Sequence, residues 1–170
     1  MPTWLDVDEF KEYARIDHAH EDALIGRLLD AAEGEIGDVE DGILARPVSV
    51  TAFTEYFDSF EGVSLAHPDN ATITSVGYTD PDGASQTVGA IYTLRDGLLV
   101  LNNDEVWPTK DGEITVIYSA GWATVPEAVK SAGYFFAASL YDARTSNGMD
   151  ADKLRKMTAL MVRGYRRIGL

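Results

Sequence analysis

Apolar residues at Leu24, Ile25, Leu28, Leu29, Ala32, Ile36 and Val39 recur at spacings that place one wide stripe along a helix, with acids on its other side. The pattern predicts a long helix between Asp17 and Gly42. Asp17 is the expected cap, Glu21 and Asp22 sit where the helix dipole favours negative charge, and Gly42 is a natural stop. At about 1.5 Å per residue this rod is roughly 30 Å long. Ahead of it, Val7, Phe10 and Ala14, with Tyr13 close by, predict a short helix from Leu5 to Ile16. Asp6 or Asp8 would cap it, and Trp4 would staple its start. Arg15 to His18 leave room only for a tight corner between the two.

After Gly42 the period changes. Val48 to Phe57 is rich in β-branched and aromatic residues, and shorter strands are predicted at Val63–Ala66, Ile73–Thr79, Ala90–Leu94, Leu98–Leu101 and Ile114–Tyr118. Turn residues separate them, among them Asp80-Pro81-Asp82-Gly83 and Arg95-Asp96-Gly97, as antiparallel hairpins require. Pro126 then opens a third helix, with a stripe of Val129, Ala132, Gly133, Phe136, Ala137, Leu140 and Tyr141. A last helix from Asp150 to Ile168 would align Leu154, Met157, Leu160, Met161 and Tyr165, with bases over much of the rest. The predicted fold class is α+β: a discontinuous four-helix bundle from 1–46 and 120–170, with a small antiparallel β lobe inserted at 47–119.

Charge sharpens this picture. The 170 residues carry a net charge of −14, which argues against a nonspecific nucleic-acid binder. It is unevenly spread: thirteen acids against three bases from Met1 to Asp41, and six bases against two acids from Asp150 to Leu170. Such ends can pair within one chain or head to tail between copies; solvated helix faces account for the same asymmetry. The absence of cysteine excludes disulfides and thiolate metal sites. The N-terminal stretch lacks a leader-like apolar region and no run matches a membrane span, so the chain is expected to be cytosolic when made.

Little in the sequence points to catalysis. His18 and His20 precede Glu21 and Asp22, but at a helix start residues two apart diverge, so capping is the better reading and no metal is expected. Asp80-Pro81-Asp82-Gly83 lacks the glutamate of a calcium loop. No nucleophile elbow, phosphate loop or dinucleotide fingerprint is present, so no catalytic or cofactor-binding residue is assigned and no enzyme is expected. The basic segment Arg163 to Arg167 suits an acidic protein surface as well as a phosphate, and it also complements its own helix dipole.

Several stretches together resemble one family. Ala14-Arg15-Ile16-Asp17 followed by Glu21-Asp22-Ala23-Leu24-Ile25, the paired-strand segment Ile73 to Gly83, Tyr118-Ser119-Ala120-Gly121-Trp122 before Val125-Pro126-Glu127, and Ala159 to Arg167 stand in the order and spacing of the head–tail connector (adaptor) proteins of long-tailed phages. The similarity is to the longer form with a β insert, which also occurs in phage-derived gene-transfer particles. It implies a structural protein of the virion, at the head–tail interface, made in the bacterial host cytoplasm. It further implies a homo-oligomeric ring, expected to be dodecameric, between a portal protein and a neck or tail-completion (stopper) protein, with DNA passing through unbound. On this reading Arg155, Lys156, Arg163, Tyr165, Arg166 and Arg167 form the portal or subunit interface, and Asp30, Glu33, Asp38 and Glu40 face the channel. Two other readings stay open. One is a DNA-packaging factor using Arg155, Lys156, Arg163, Arg166 and Arg167. The other is a small-ligand module built on Tyr56, Tyr78, Tyr92 and Trp107 of the β lobe.

Overall fold

The computed structural model describes residues 4–144 and 150–166. The architecture is α+β with a β insert. Four helices, α1 (Val7–Ala14), α2 (Asp22–Gly37), α3 (Glu127–Ala143) and α4 (Ala151–Met161), bracket six strands. The chain divides into two compact units, Met1–Ser49 with Trp122–Leu170, and Val50–Gly121.

In the helical unit α2 packs along α3, α4 lies on α3, and α1 touches both α2 and α3. Asp6 caps α1, its carboxylate accepting from the N–H groups of Asp8 (2.8 Å) and Glu9 (3.1 Å). Arg15 closes α1 in the left-handed region, with φ 56°. The core gathers Phe10, Ile25, Leu29, Ala32, Ile36, Leu44, Val129, Ala132, Ala137, Leu154 and Val162. Gly133 is required by close approach: a Cβ there would lie 2.8 Å from Leu5 Cδ1 and 3.1 Å from Trp4 Cη2.

Three expectations are corrected here. First, α2 starts at Asp22 after Glu21, so Asp17 caps nothing. Second, α2 stops at Gly37 because Asp38 leaves the helix with ψ 133° and turns its carboxylate onto the N–H groups of Glu40 and Asp41, both at 2.9 Å. The chain then doubles back, and the N–H groups of Ile43 and Leu44 bond the carbonyls of Glu35 and Ile36. Third, α4 ends at Met161 and buries Leu154 and Thr158, with Val162 continuing the same row. Met157, Leu160 and Met161, the expected core stripe, are exposed. Thr158 keeps its hydroxyl satisfied on the Leu154 carbonyl at 3.0 Å, which lets a polar residue hold a core position.

In the inserted unit, β1 (Thr51–Phe57), β2 (Thr72–Thr79), β3 (Ser85–Thr87) and β6 (Asp111–Ala120) form an antiparallel sheet in the order β1-β6-β2-β3. β4 (Tyr92–Arg95) and β5 (Leu98–Leu101) form a separate hairpin. Its turn places Asp96 at φ 50° and Gly97 at φ 84°, as a tight two-residue hairpin demands. The segment around Ser64, expected as a strand, makes only a single bridge to Leu98. β3 was not expected, since its three residues are all polar and exposed.

One face of the sheet meets Val63, Leu65 and Leu99 in the lobe's core, through Val76, Ile114, Val116 and Tyr118. The other face reads in cross-strand rows: Ala52–Ser119–Thr72, Thr54–Ile117–Ser75 and Tyr56–Thr115–Gly77–Thr87. Tyr118 reaches out of the core to donate to Glu55, and its oxygen accepts from the His67 N–H at 3.2 Å.

Candidate assembly surfaces

Polar contacts to α3 fix the start of both N-terminal helices. Tyr134 donates to Glu9 at 2.6 Å and accepts from the Asp6 N–H at 3.1 Å. Burial, then the Glu9 contact, pushes the Tyr134 phenol up. Two turns further along, Tyr141 donates to Glu21, whose other oxygen meets the Arg144 guanidinium at 2.8 Å. Arg144 first, and Tyr141 next, hold the Glu21 carboxyl down at about 2. Arg144 also lies over the Tyr141 ring, 3.9 Å from its centre. Lys11 bonds Asp22 at 3.0 Å across the corner between α1 and α2.

The histidines do not diverge as expected. Residues 17 to 21 precede the first helical turn, and the rings of His18 and His20 stack with centres 3.8 Å apart. Donor atoms of His18, His20 and Glu21 lie within 4.8 Å of one another. The Glu21 oxygens are taken by Arg144 and Tyr141, so the chemistry of this cluster is that of an ion pair anchoring α2 to α3.

The acids expected on a channel face separate. Asp30 is exposed on α2. Glu33 is not on that face: it is 9% exposed, and its carboxylate accepts from the N–H groups of Trp4 (2.6 Å) and Leu5 (2.7 Å). Burial raises its pKa, against the lowering effect of those two N–H groups. Asp38 and Glu40 lie in the turn beyond the helix. The Asp41 and Glu40 N–H groups lower the Asp38 pKa.

The basic residues of the C-terminal region also divide. Arg155 pairs with Glu35 and donates to the Asp41 carbonyl, tying α4 to the end of α2. Lys156, Arg163 and Arg166 are exposed. Tyr165 is half-buried, edge-on to Trp122 at 5.9 Å, with Arg46 4.3 Å above the Trp122 ring. Arg167 lies outside the described residues. Between Lys156 and Arg163 the sequence reading missed an outward apolar patch, Met157, Leu160 (66% exposed) and Met161. The signal for it was the four-residue spacing of Leu154, Thr158 and Val162, which a threonine at the centre disguises.

In the β lobe, Tyr78, Tyr92 and Trp107 pack against the core, with Trp107 stacked on Phe60 at 4.8 Å, while Tyr56 points out. Among the described residues, no helix is long and apolar enough to cross a membrane.

A family model, Head completion protein, matches residues 3–150. No curated protein matches the chain. Solved structures similar in fold include a chain from the virion of a native gene transfer agent particle, at TM-score 0.69 and 22% identity over 99% of this chain and 92% of that one. A chain from the neck of an empty gene transfer agent particle, computed with C6 symmetry, aligns at 0.66 and 21% identity over 99% and 92%. One from the neck of the native particle, computed with C12 symmetry, aligns at 0.61 and 19% over 99% and 91%. The match over nearly the whole chain and the helical unit with its β insert lead to one conclusion: this chain belongs to the head completion protein family, and its role is that of a structural head–tail connector.

Proposed function

We propose that copies of this chain form a ring, expected to be dodecameric, beneath the portal of a phage-type capsid, joining head to neck and leaving DNA a passage. The observation that carries the reading is the family match over residues 3–150. The similarity to neck chains computed with C6 and C12 symmetry supports a ring. The role is structural, with no substrate turned over, and the protein resides at the head–tail interface of a particle assembled in a bacterial host.

The outward side of α4 is assigned to the portal. Lys156 on α4 and Arg163 and Arg166 just after it are exposed in the same stretch as the exposed Met157, Leu160 and Met161, a pairing of charge and apolar area that suits an acidic protein surface. Arg167 extends the basic run. Arg155 serves the chain's own fold first, through Glu35. The stopper protein takes the opposite side of the ring. Asp30, Asp38 and Glu40 are assigned to the passage, where like charge keeps DNA from adhering; Glu33 is excluded by its burial.

Charge reversal at Arg163, Arg166 and Arg167 is expected to abolish attachment to DNA-filled heads, and normal attachment would refute the docking assignment. Electron microscopy of particles labelled on this protein is expected to place the label at the collar. A label elsewhere, or turnover of a substrate by the purified chain, would overturn the reading.

A further inference from the structure

Val106 is the most exposed large apolar side chain among the described residues, at 79%. Single exposed apolar residues are ordinary on a protein surface, but this one is held out by a built loop. Before it, Asn102 ties the loop to the chain entering β4. Its N–H donates to the Ile91 carbonyl at 2.9 Å, its side-chain amide donates to the Ala90 carbonyl at 3.2 Å, and its side-chain oxygen accepts from the Thr93 hydroxyl at 2.6 Å. Asp104 takes the left-handed region with φ 66°, and the Glu105 N–H closes the turn on the Asn102 carbonyl at 3.2 Å. After it, Trp107 lies flat on the buried Phe60, with 4.8 Å between ring centres and 6° between planes, and Pro108 restrains the Trp107 backbone. A loop pinned at both ends presents Val106 and the exposed acids Asp104 and Glu105 already in place, so little order is lost when a partner covers them.

Charge selects the partner. The inserted unit, Val50–Gly121, carries eleven acids against two bases, Arg95 and Lys110. Its surface repels the same unit of other copies, and it repels the acidic surface that suits α4. The basic α4 side of a second copy fits by charge, but in the assembly proposed above the portal covers it. What remains is a different protein, with an apolar socket for Val106 and lysine or arginine at the rim for Asp104 and Glu105. Leu160 among bases and Val106 among acids then select partners of opposite charge, and neither docks on the other's partner.

We infer that the Val106 loop is the docking point for the neck-side partner, a protein presenting an apolar socket rimmed by basic side chains. This rests on the ring and portal contact proposed above and adds the contact with the neck.

Particles are produced with the labelled full-length chain, and electron microscopy scores the labelled collar on heads and the presence of a tail separately. Val106→Glu is expected to leave collar labelling within about twofold of wild type while cutting the tailed fraction about tenfold, and Val106→Leu to keep both. Asp104→Lys combined with Glu105→Lys tests the rim and is expected to give the same tailless, collared heads. All the substituted side chains are exposed, so circular dichroism of the variants is expected to match wild type. A normal tailed fraction from Val106→Glu or from the double lysine variant would overturn the docking point. Loss of the collar would also overturn it, by assigning the loop to the head or to a second copy. A wild-type label away from the collar would instead overturn the ring and portal contact, and this docking point with them.

Discussion

Glu21 and Glu33 are two acids of the same helical region with opposite fates. Glu21 meets a guanidinium and a phenol, which hold its carboxyl at about 2, below its ordinary 4.5. Its contribution to stability is therefore present above pH 4.5 and lost as pH falls through about 2. Glu21→Gln is expected to lower the thermal midpoint at neutral pH, with the gap from wild type closing as pH drops from 4.5 toward 2, read by calorimetry across that range. Glu33 is the reverse case, because burial raises its pKa. What it contributes is full below 4.5 and diminishes as pH rises through the raised value, so wild type should gain on Glu33→Gln as the solution is acidified from neutral. Glu33→Ala strips the acceptor from the Trp4 and Leu5 N–H groups and should cost about 2–4 kcal/mol in urea denaturation.

At the scale of elements, α4 separates stability from assembly. Its buried row of Leu154 and Thr158 attaches it to the helical core, while Leu160 faces out. Leu154→Ala should destabilise the protein by about 2–4 kcal/mol through lost burial and a residual cavity. Leu160→Ala should change stability by less than about 0.5 kcal/mol and yet weaken attachment to heads. Chemical denaturation and an attachment assay, run on the same two variants, check the pair. If Leu160→Ala attached normally, the outward face of α4 would not be the docking surface. The strands divide in a similar way. β6, long and alternating, is legible as a strand, whereas β3 is held only by pairing with β2 through Gly77, Tyr78 and Thr79.

At the scale of the whole molecule, the excess of negative charge sets opposite salt dependences for two associations. Copies at −14 repel, so added salt should lower the concentration at which they self-associate. Docking of the basic α4 region on an acidic partner should weaken over the same range. Sedimentation and head attachment, each measured from low to high salt, are expected to move in opposite directions. Parallel movement would mean that both associations rest on the same kind of contact.

The one-dimensional pattern determined the order of the four helices and the α+β class with a β insert, because helix and strand periods are local and the change at Arg46-Pro47 is abrupt. It also narrowed the α1 cap to Asp6 or Asp8, of which the structure uses Asp6, and placed a turn at Asp96-Gly97, both of which depend on neighbours in sequence. Tertiary structure alone decided which side of α4 is buried. Met157, Leu160 and Met161 make as good a stripe as Leu154, Thr158 and Val162, and only the position of α3 chooses between them. Tertiary structure alone also buried Glu33, since its partners stand 28 and 29 residues away at the chain's start, and brought Glu21 to Arg144 across 123 residues. Periodicity fixes where an apolar face can lie; the contacts that occupy it come from distant parts of the chain, and no local pattern encodes them.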